Sequence, residues 1–233
     1  MSFNYSPKII TNGLVYYIDP SNTKSYIGTG TTCLDLTPSA STTTLVGGVT
    51  FSGNSFGFDG TNTYLTPNTS SLGNFSGDYT ADIWFKINTM GNNYYPLLCK
   101  RDPSNSDFTT PLLLNIDNRT GVNTTAINWS LGNSASSIFQ ISIQNTITAN
   151  TWTNINCVVS GTSMTLYKNG ITLTATTFTG TRFTNNALMY IGENNGFSPK
   201  FLGRIGQIKL YNRALSAANI LQNYNTIKYK YIT

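Results

Sequence analysis

Short runs of alternating apolar and polar residues extend along almost the whole chain, cut at intervals by Gly, Asn, Ser and Pro. A period of two places successive side chains on opposite faces of a strand, and frequent turn residues between such runs mark a sandwich or jelly roll. The clearest run is DYTADIWFKIN at 78–88. Tyr79, Ala81, Ile83, Phe85 and Ile87 share one face, while Asp78, Thr80, Asp82, Trp84 and Lys86 share the other. GLVYYID (13–19) predicts an early strand stopped by Pro20, with a polar loop through Gly30. SFGFDGTNTYLT (55–66) predicts two strands broken at the turn signal DGTN. After the loop TMGNNYYP, further strands are expected in LLCKRD, TPLLLNID, TAINWSLG and SIFQISIQN. Residues 151–177 predict a hairpin turning at SGTS, then a second turn at KNG, where Asn169 and Gly170 suit the positive φ of a tight turn. ALMYIGENNG and FLGRIGQIKLYN supply the last strands.

One segment breaks this rhythm. In ALSAANILQNYN, Ser216 suits a helix N-cap, with Ala217, Ala218 and Asn219 in the first turn. Leu215 and Ile220 have the spacing of a hydrophobic staple, and Ile220, Leu221 and Tyr224 predict one apolar face. Such a short helix is unstable alone, so it must dock on the sandwich.

Composition narrows the function. Charged residues make up 10% of the chain against 12% aromatic, which gives a polar but weakly charged surface. The net charge of +5 reflects scarce carboxylates rather than a basic block. The densest basic run, KYKY at 228–231, alternates cations with rings as single-strand nucleic-acid binders do, but it reads more simply as a solvated tail, and no nucleic-acid partner is expected. There is no histidine and no CxxC pair among Cys33, Cys99 and Cys157, which excludes the common zinc sites and His-dependent nucleophiles. Cys157 reads as a buried small hydrophobe. Neither a secretory signal nor a membrane-length apolar run is visible, so no membrane insertion is expected.

Four motifs resemble the laminin-G-like, concanavalin A-like jelly rolls found in phage and marine viral proteins. They are NGLVYYIDPSNTKSYIGTGTTCLDL, FGFDGTNTYL, YTADIWFKIN, and the closing half from WTNINCVVSGTSMTLYKNG through MYIGENN to FLGRIGQIKLYNRALSAANILQNYN. The resemblance implies an all-β fold: a two-sheet antiparallel jelly-roll sandwich with one short C-terminal helix. It divides the chain into an N-terminal arm (1–11) and a single domain (12–233). Many relatives hold a structural calcium ion, often through an Asp before the Tyr-Asn-Arg run. Here Gln207 stands in that neighbourhood, leaving Asp19, Asp35 and Asp59 as the remaining candidate ligands, and no other cofactor is expected.

Some members of such families are glycoside hydrolases, which need two carboxylates flanking the scissile bond. This chain has one glutamate, Glu193, and its nearest substitute, Asp78 with Asp82 on one strand face, would span roughly 13 Å, too far for that chemistry. No enzyme is expected. If the domain binds glycans, loop aromatics beside amides are the candidates: Asn92, Asn93, Tyr94 and Tyr95 foremost, then Tyr26 and Phe197. Trp84 and Trp152 are expected in the core, with Trp129 open.

The expected function is a non-enzymatic phage virion structural protein, a capsid decoration, head-fibre or tail-fibre adhesion module. It would be assembled in the host cytoplasm, released by lysis and displayed on the virion surface. Its expected partners are other capsid or tail proteins, further copies of itself on the particle, and cell-surface glycans. The alternative is a stand-alone carbohydrate-binding lectin.

Overall fold

The computed structural model describes residues 8–102, 109–121, 125–133, 137–196 and 199–232. The alternating runs become sixteen strands among these residues. In chain order they are β1 (Leu14–Ile18), β2 (Thr32–Leu34), β3 (Thr42–Val46), β4 (Thr50–Ser52), β5 (Ser55–Asp59), β6 (Tyr64–Pro67), β7 (Tyr79–Ile87) and β8 (Tyr94–Cys99). The second half holds β9 (Leu113–Asp117), β10 (Ala126–Gly132), β11 (Ile138–Ile143), β12 (Thr153–Ser160), β13 (Ser163–Lys168), β14 (Ile171–Thr177), β15 (Tyr190–Ile191) and β16 (Leu202–Tyr211). Helix α1 (Ala217–Ile227) follows.

The strands form two antiparallel eight-stranded sheets. Sheet A runs β14-β13-β12-β7-β16-β5-β4, with β1 also paired to β16, and sheet B runs β11-β10-β9-β8-β15-β6-β3-β2. This is the expected jelly-roll sandwich with one helix. The expected hairpin and second turn form β12, β13 and β14, with Asn169 and Gly170 both at positive φ. The DGTN turn has a larger role than joining two strands, because β5 lies in sheet A and β6 in sheet B. Asp59 accepts the backbone N–H groups of Thr61, Asn62 and Thr63 and the Thr63 hydroxyl, fixing the turn that carries the chain between layers.

The inter-sheet core takes the apolar face of β7 as anticipated: Tyr79, Ala81, Ile83, Phe85 and Ile87 are all buried there. Trp129 joins them from β10, and Cys157 is fully buried. Trp84 is also buried, but it points away from this core, on the outer face of sheet A beneath α1, because its position on β7 is of opposite parity.

Ser216 caps α1 by accepting the Asn219 N–H at 3.2 Å, and Leu215 and Ile220 share one buried cluster, as a staple requires. The buried face differs from expectation. Ile220, Asn223 and Ile227 are buried and Leu221 is 44% exposed, so the stripe follows positions 220, 223, 224 and 227. Residues 8–12 lie against the same helix: Asn223 accepts the Ile10 N–H, and Gln222 donates to the Lys8 carbonyl.

Candidate functional site

The outer face of sheet A carries a second buried layer, made of polar and aromatic groups. Asp82 on β7 sits opposite Lys209 on β16 and Asn156 on β12. Lys209 Nζ lies 3.3 Å from Asp82 Oδ2, and Asn154 Nδ2 donates to Asp82 Oδ1 at 2.7 Å. Asp82 is therefore committed to a buried pair. Asp78 is exposed and caps the β12–β13 turn through the Gly161 N–H. Glu193 is buried against Lys200 at 2.5 Å. These carboxylates thus hold structural partners instead of flanking a common space.

Above this layer the chain after α1 returns across the sheet. The KYKY segment forms a 3-10 turn at Lys228–Lys230, and Tyr231 is buried, so this stretch is not the solvated tail expected from its charge. Tyr231 stacks on Trp84 at 4.9 Å between ring centroids and packs against Trp152 at 4.5 Å. Trp84 also stacks almost parallel on Tyr224. A bulge in β16 makes room for this, since two residues, Gly206 and Gln207, oppose Trp84. A Cβ at Gly206 would meet the Tyr231 hydroxyl at 2.4 Å, so only glycine admits the ring there. The bulge also turns the Gln207 N–H outward to donate to the Tyr231 oxygen at 2.9 Å.

Beside Tyr231 opens a cleft of about 360 Å³ lined by Ser52, Asn54, Lys86, Trp152, Arg204 and Lys230, among others. Its floor is a cross-strand row. Arg204 on β16 is registered opposite Lys86 on β7, and Trp152 directly precedes β12, whose Thr153 pairs with Phe85. Lys86 Nζ lies 5.9 Å from the Trp152 ring centroid. Trp152 is half-buried, so part of the indole faces the cleft and it is not the core residue expected. Arg204 Nε donates to Ser55 Oγ and its Nη2 to the Ser52 carbonyl, which orient the guanidinium.

The sequence-chosen aromatics divide. Tyr26 is buried against Phe51 and Phe56, with its hydroxyl bonded to the Gly30 carbonyl, and Tyr95 is buried with its hydroxyl held by Gly91 and Thr89. Neither ring offers a face to a sugar, because each closes the core at a loop base. Asn92, Asn93 and Tyr94 do lie together on the rim of sheet B, with Tyr94 half-buried and the Arg119 guanidinium 5.5 Å from its ring. Asn92 Oδ1 accepts the Thr120 N–H, so this loop is tied to its neighbour. Phe197 lies outside the described residues.

The three aspartates do not fit a calcium site. Hard cations need carboxylate oxygens free to converge on them. Asp19 instead accepts Gln207 Nε2 and the Lys230 ammonium, both at 2.7 Å, together with Ser21. Burial opposes its ionisation, but the Lys230 ammonium and the Ser21 donors outweigh that cost and hold its pKa below the usual carboxylate range. Asp35 is filled by the Tyr17 and Thr37 N–H groups and by the hydroxyls of Thr37 and Ser39. Asp59 Oδ1 accepts all four donors of its own turn, which outweigh burial and hold its pKa low. No cluster of three potential ligand residues occurs among the described residues. Gln207 thus has a positive role at the position where a metal-binding relative would carry Asp, since its amide bonds the neighbouring carboxylate.

Comparison with known proteins agrees with the two-sheet jelly-roll fold. The chain belongs to the concanavalin A-like lectin/glucanases superfamily, whose Laminin_G_3 family model matches residues 59–221. No curated protein matches it in sequence. Among solved structures it is similar to domain 4 of AbnA, a GH43 extracellular arabinanase from Geobacillus stearothermophilus, in complex with arabinotriose. That match has a TM-score of 0.65 at 18% identity, covering 91% of this chain and 98% of that one. It is also similar to the receptor-binding domain of botulinum neurotoxin type G (TM-score 0.68, 13% identity, covering 92% of this chain and 51% of that one). The binding domain of botulinum neurotoxin DC, solved with rat synaptotagmin II, has a TM-score of 0.70 at 13% identity, with 93% and 52% covered. The chain spans about half the length of these toxin domains, and identities this low establish the fold alone.

Proposed function

We propose that this chain is a non-catalytic glycan-binding module whose sugar docks in the cleft lined by Trp152 and Tyr231. The observation that carries the reading is the partly exposed Trp152 indole in a polar-lined cleft on sheet A. A sugar presents an apolar C–H face together with hydroxyl groups. The indole supplies a stacking surface, and Ser52, Asn54, Lys86 and Arg204 supply hydrogen-bonding groups around it. Superfamily membership and the arabinotriose complex of the arabinanase domain support a saccharide ligand. The commitment of Asp78, Asp82 and Glu193 to structural partners supports binding without hydrolysis.

The rim of Asn92, Asn93 and Tyr94 is a second candidate, favoured by the half-buried Tyr94 ring beside two amides. A glycan array with the unmodified protein, Trp152→Ala and Tyr94→Ala decides between them. Loss of binding with Trp152→Ala alone supports the sheet A cleft, and loss with Tyr94→Ala alone moves the site to the rim. An array on which the unmodified protein binds nothing overturns the glycan reading.

Display of this module on a phage-type particle is a separate proposal, resting on the sequence motifs. The relatives named above are enzyme and toxin domains. Mass spectrometry of purified particles tests it: fixed stoichiometry with the major capsid or tail proteins supports display, and absence from particles removes it.

A further inference from the structure

We propose that the ligand of the Trp152 cleft is an anionic saccharide, a sugar bearing a carboxylate such as a uronic acid, held by Lys86 and Arg204. This rests on the glycan reading of the same cleft and adds the charge of its ligand. Arg204 and Lys86 are direct cross-strand neighbours on the outer face of sheet A. Like charges placed directly opposite across a ladder destabilise the sheet, and an anion bound between them would relieve that cost. Here neither has an ion-pair partner among the described residues, where the ion pairs are Arg119–Asp117, Lys200–Glu193, Lys209–Asp82 and Lys230–Asp19.

The third cation of the cleft behaves differently. Lys230 is neutralised by Asp19, at 2.7 Å, and is further bonded to Ser21. Asp82, the next carboxylate on β7, is buried against Lys209 and Asn154. Asp19 and Asp82 are therefore taken, and Asp59, which lines a second pocket with Arg204, makes no ion pair with it, so the charge of Lys86 and Arg204 is left facing an open cleft.

Geometry completes the site. Ser52 and Ser55 fix one side of the Arg204 guanidinium through Nε and Nη2, while Nη1 has no hydrogen bond among the described residues. Lys86 sits between Arg204 and the Trp152 ring in the cross-strand row. A sugar ring laid on the indole would bring a carboxylate substituent over the two cations, where charge-assisted hydrogen bonds form. An uncharged sugar could use the ring but would leave the paired cations unanswered.

The test is isothermal titration of the full chain with a uronic-acid tetrasaccharide and with its counterpart reduced to the neutral sugar. The charged ligand is expected to bind at least about tenfold tighter, by an amount that shrinks as salt rises. Lys86→Gln and Lys86→Glu should bring the affinity for the charged ligand down to, and below, that of the unmodified protein for the neutral one. Trp152→Ala should remove both. Lys86 lies on a partly exposed face and anchors no loop, so its variants keep the fold, which an unchanged melting temperature verifies. Equal binding of both ligands, insensitive to Lys86→Glu, would overturn the anionic inference and leave the glycan reading standing. A sulfated tetrasaccharide without carboxylates, preferred over the uronic one, would overturn the carboxylate assignment. Failure of every saccharide to bind would overturn both.

Discussion

The molecule buries tryptophan in two layers built on opposite principles. Between the sheets, Trp129 sits among Ile, Leu and Phe side chains, and attraction there is non-directional burial. On the outer face of sheet A, Trp84 sits under Tyr224 and Tyr231 beside an ion pair, an amide ladder and an Asp19–Gln207–Lys230 contact. The first layer fixes that the chain folds; the second fixes where the C-terminal segment lies, and so shapes the cleft. A polar layer tolerates fewer changes, because each partner removed leaves another group buried without one.

The sharpest way to break this contrast is Lys209→Met. It strands the Asp82 carboxylate, and a loss of about 3–5 kcal/mol is expected by chemical denaturation. Adding Asp82→Leu should recover much of that loss, and a double variant as costly as the two single changes summed would show that the pair does not act as a unit. Next comes Lys100, a buried lysine that donates to the carbonyls of Ser70 and Ala187 and to no carboxylate among the described residues. Burial lowers its pKa to about 8, below the value of about 10.4 for the unfolded chain. Between those values the unfolded state binds more protons, so this residue's contribution to stability rises with pH across the window and is absent below it. Relative to Lys100→Met, the wild type should gain up to roughly 3 kcal/mol between pH 8 and pH 10.5. Cys33, Cys157 and the buried tyrosines have raised pKa values and act in the opposite sense at alkaline pH, but they are shared by both proteins and cancel in the difference. A flat difference would remove the desolvation argument. The smallest effect belongs to the apolar layer: Ile155→Val, between the sheets, should cost about 1 kcal/mol, read as a melting-temperature shift of a few degrees.

The sequence reading reached the strands whose alternation is long, such as β7 and β12 to β14, because period two over many residues has few competing explanations. It passed over β2, β3 and β4. These runs are three to five residues long and rich in Thr and Ser, so their polarity resembles that of the loops around them. The helix cap was legible because it is local, but Leu221 was misplaced because position alone does not say which edge of an apolar stripe meets the sheet. The site was harder. Tyr26 and Tyr95 stand in loop-like sequence yet their rings fold inward, whereas Lys86, Trp152 and Arg204 come from three distant stretches. Only the register of β7, β12 and β16 makes them neighbours. The one visible signal was Lys86 on the outward face of β7, and it pointed to a surface without saying what else lay there.

The place of β16 in sheet A has a consequence for synthesis. It pairs with β7, β5 and β1, all made well before it, so sheet A stays divided while the chain grows from the ribosome. Until residue 211 has emerged, β7 and β5 expose open edges, the kind of surface on which nascent chains associate wrongly. Completion of this domain should therefore be a late, nearly all-at-once event after translation, and truncations before residue 202 should be caught by chaperones or aggregate rather than persist as half-sandwiches.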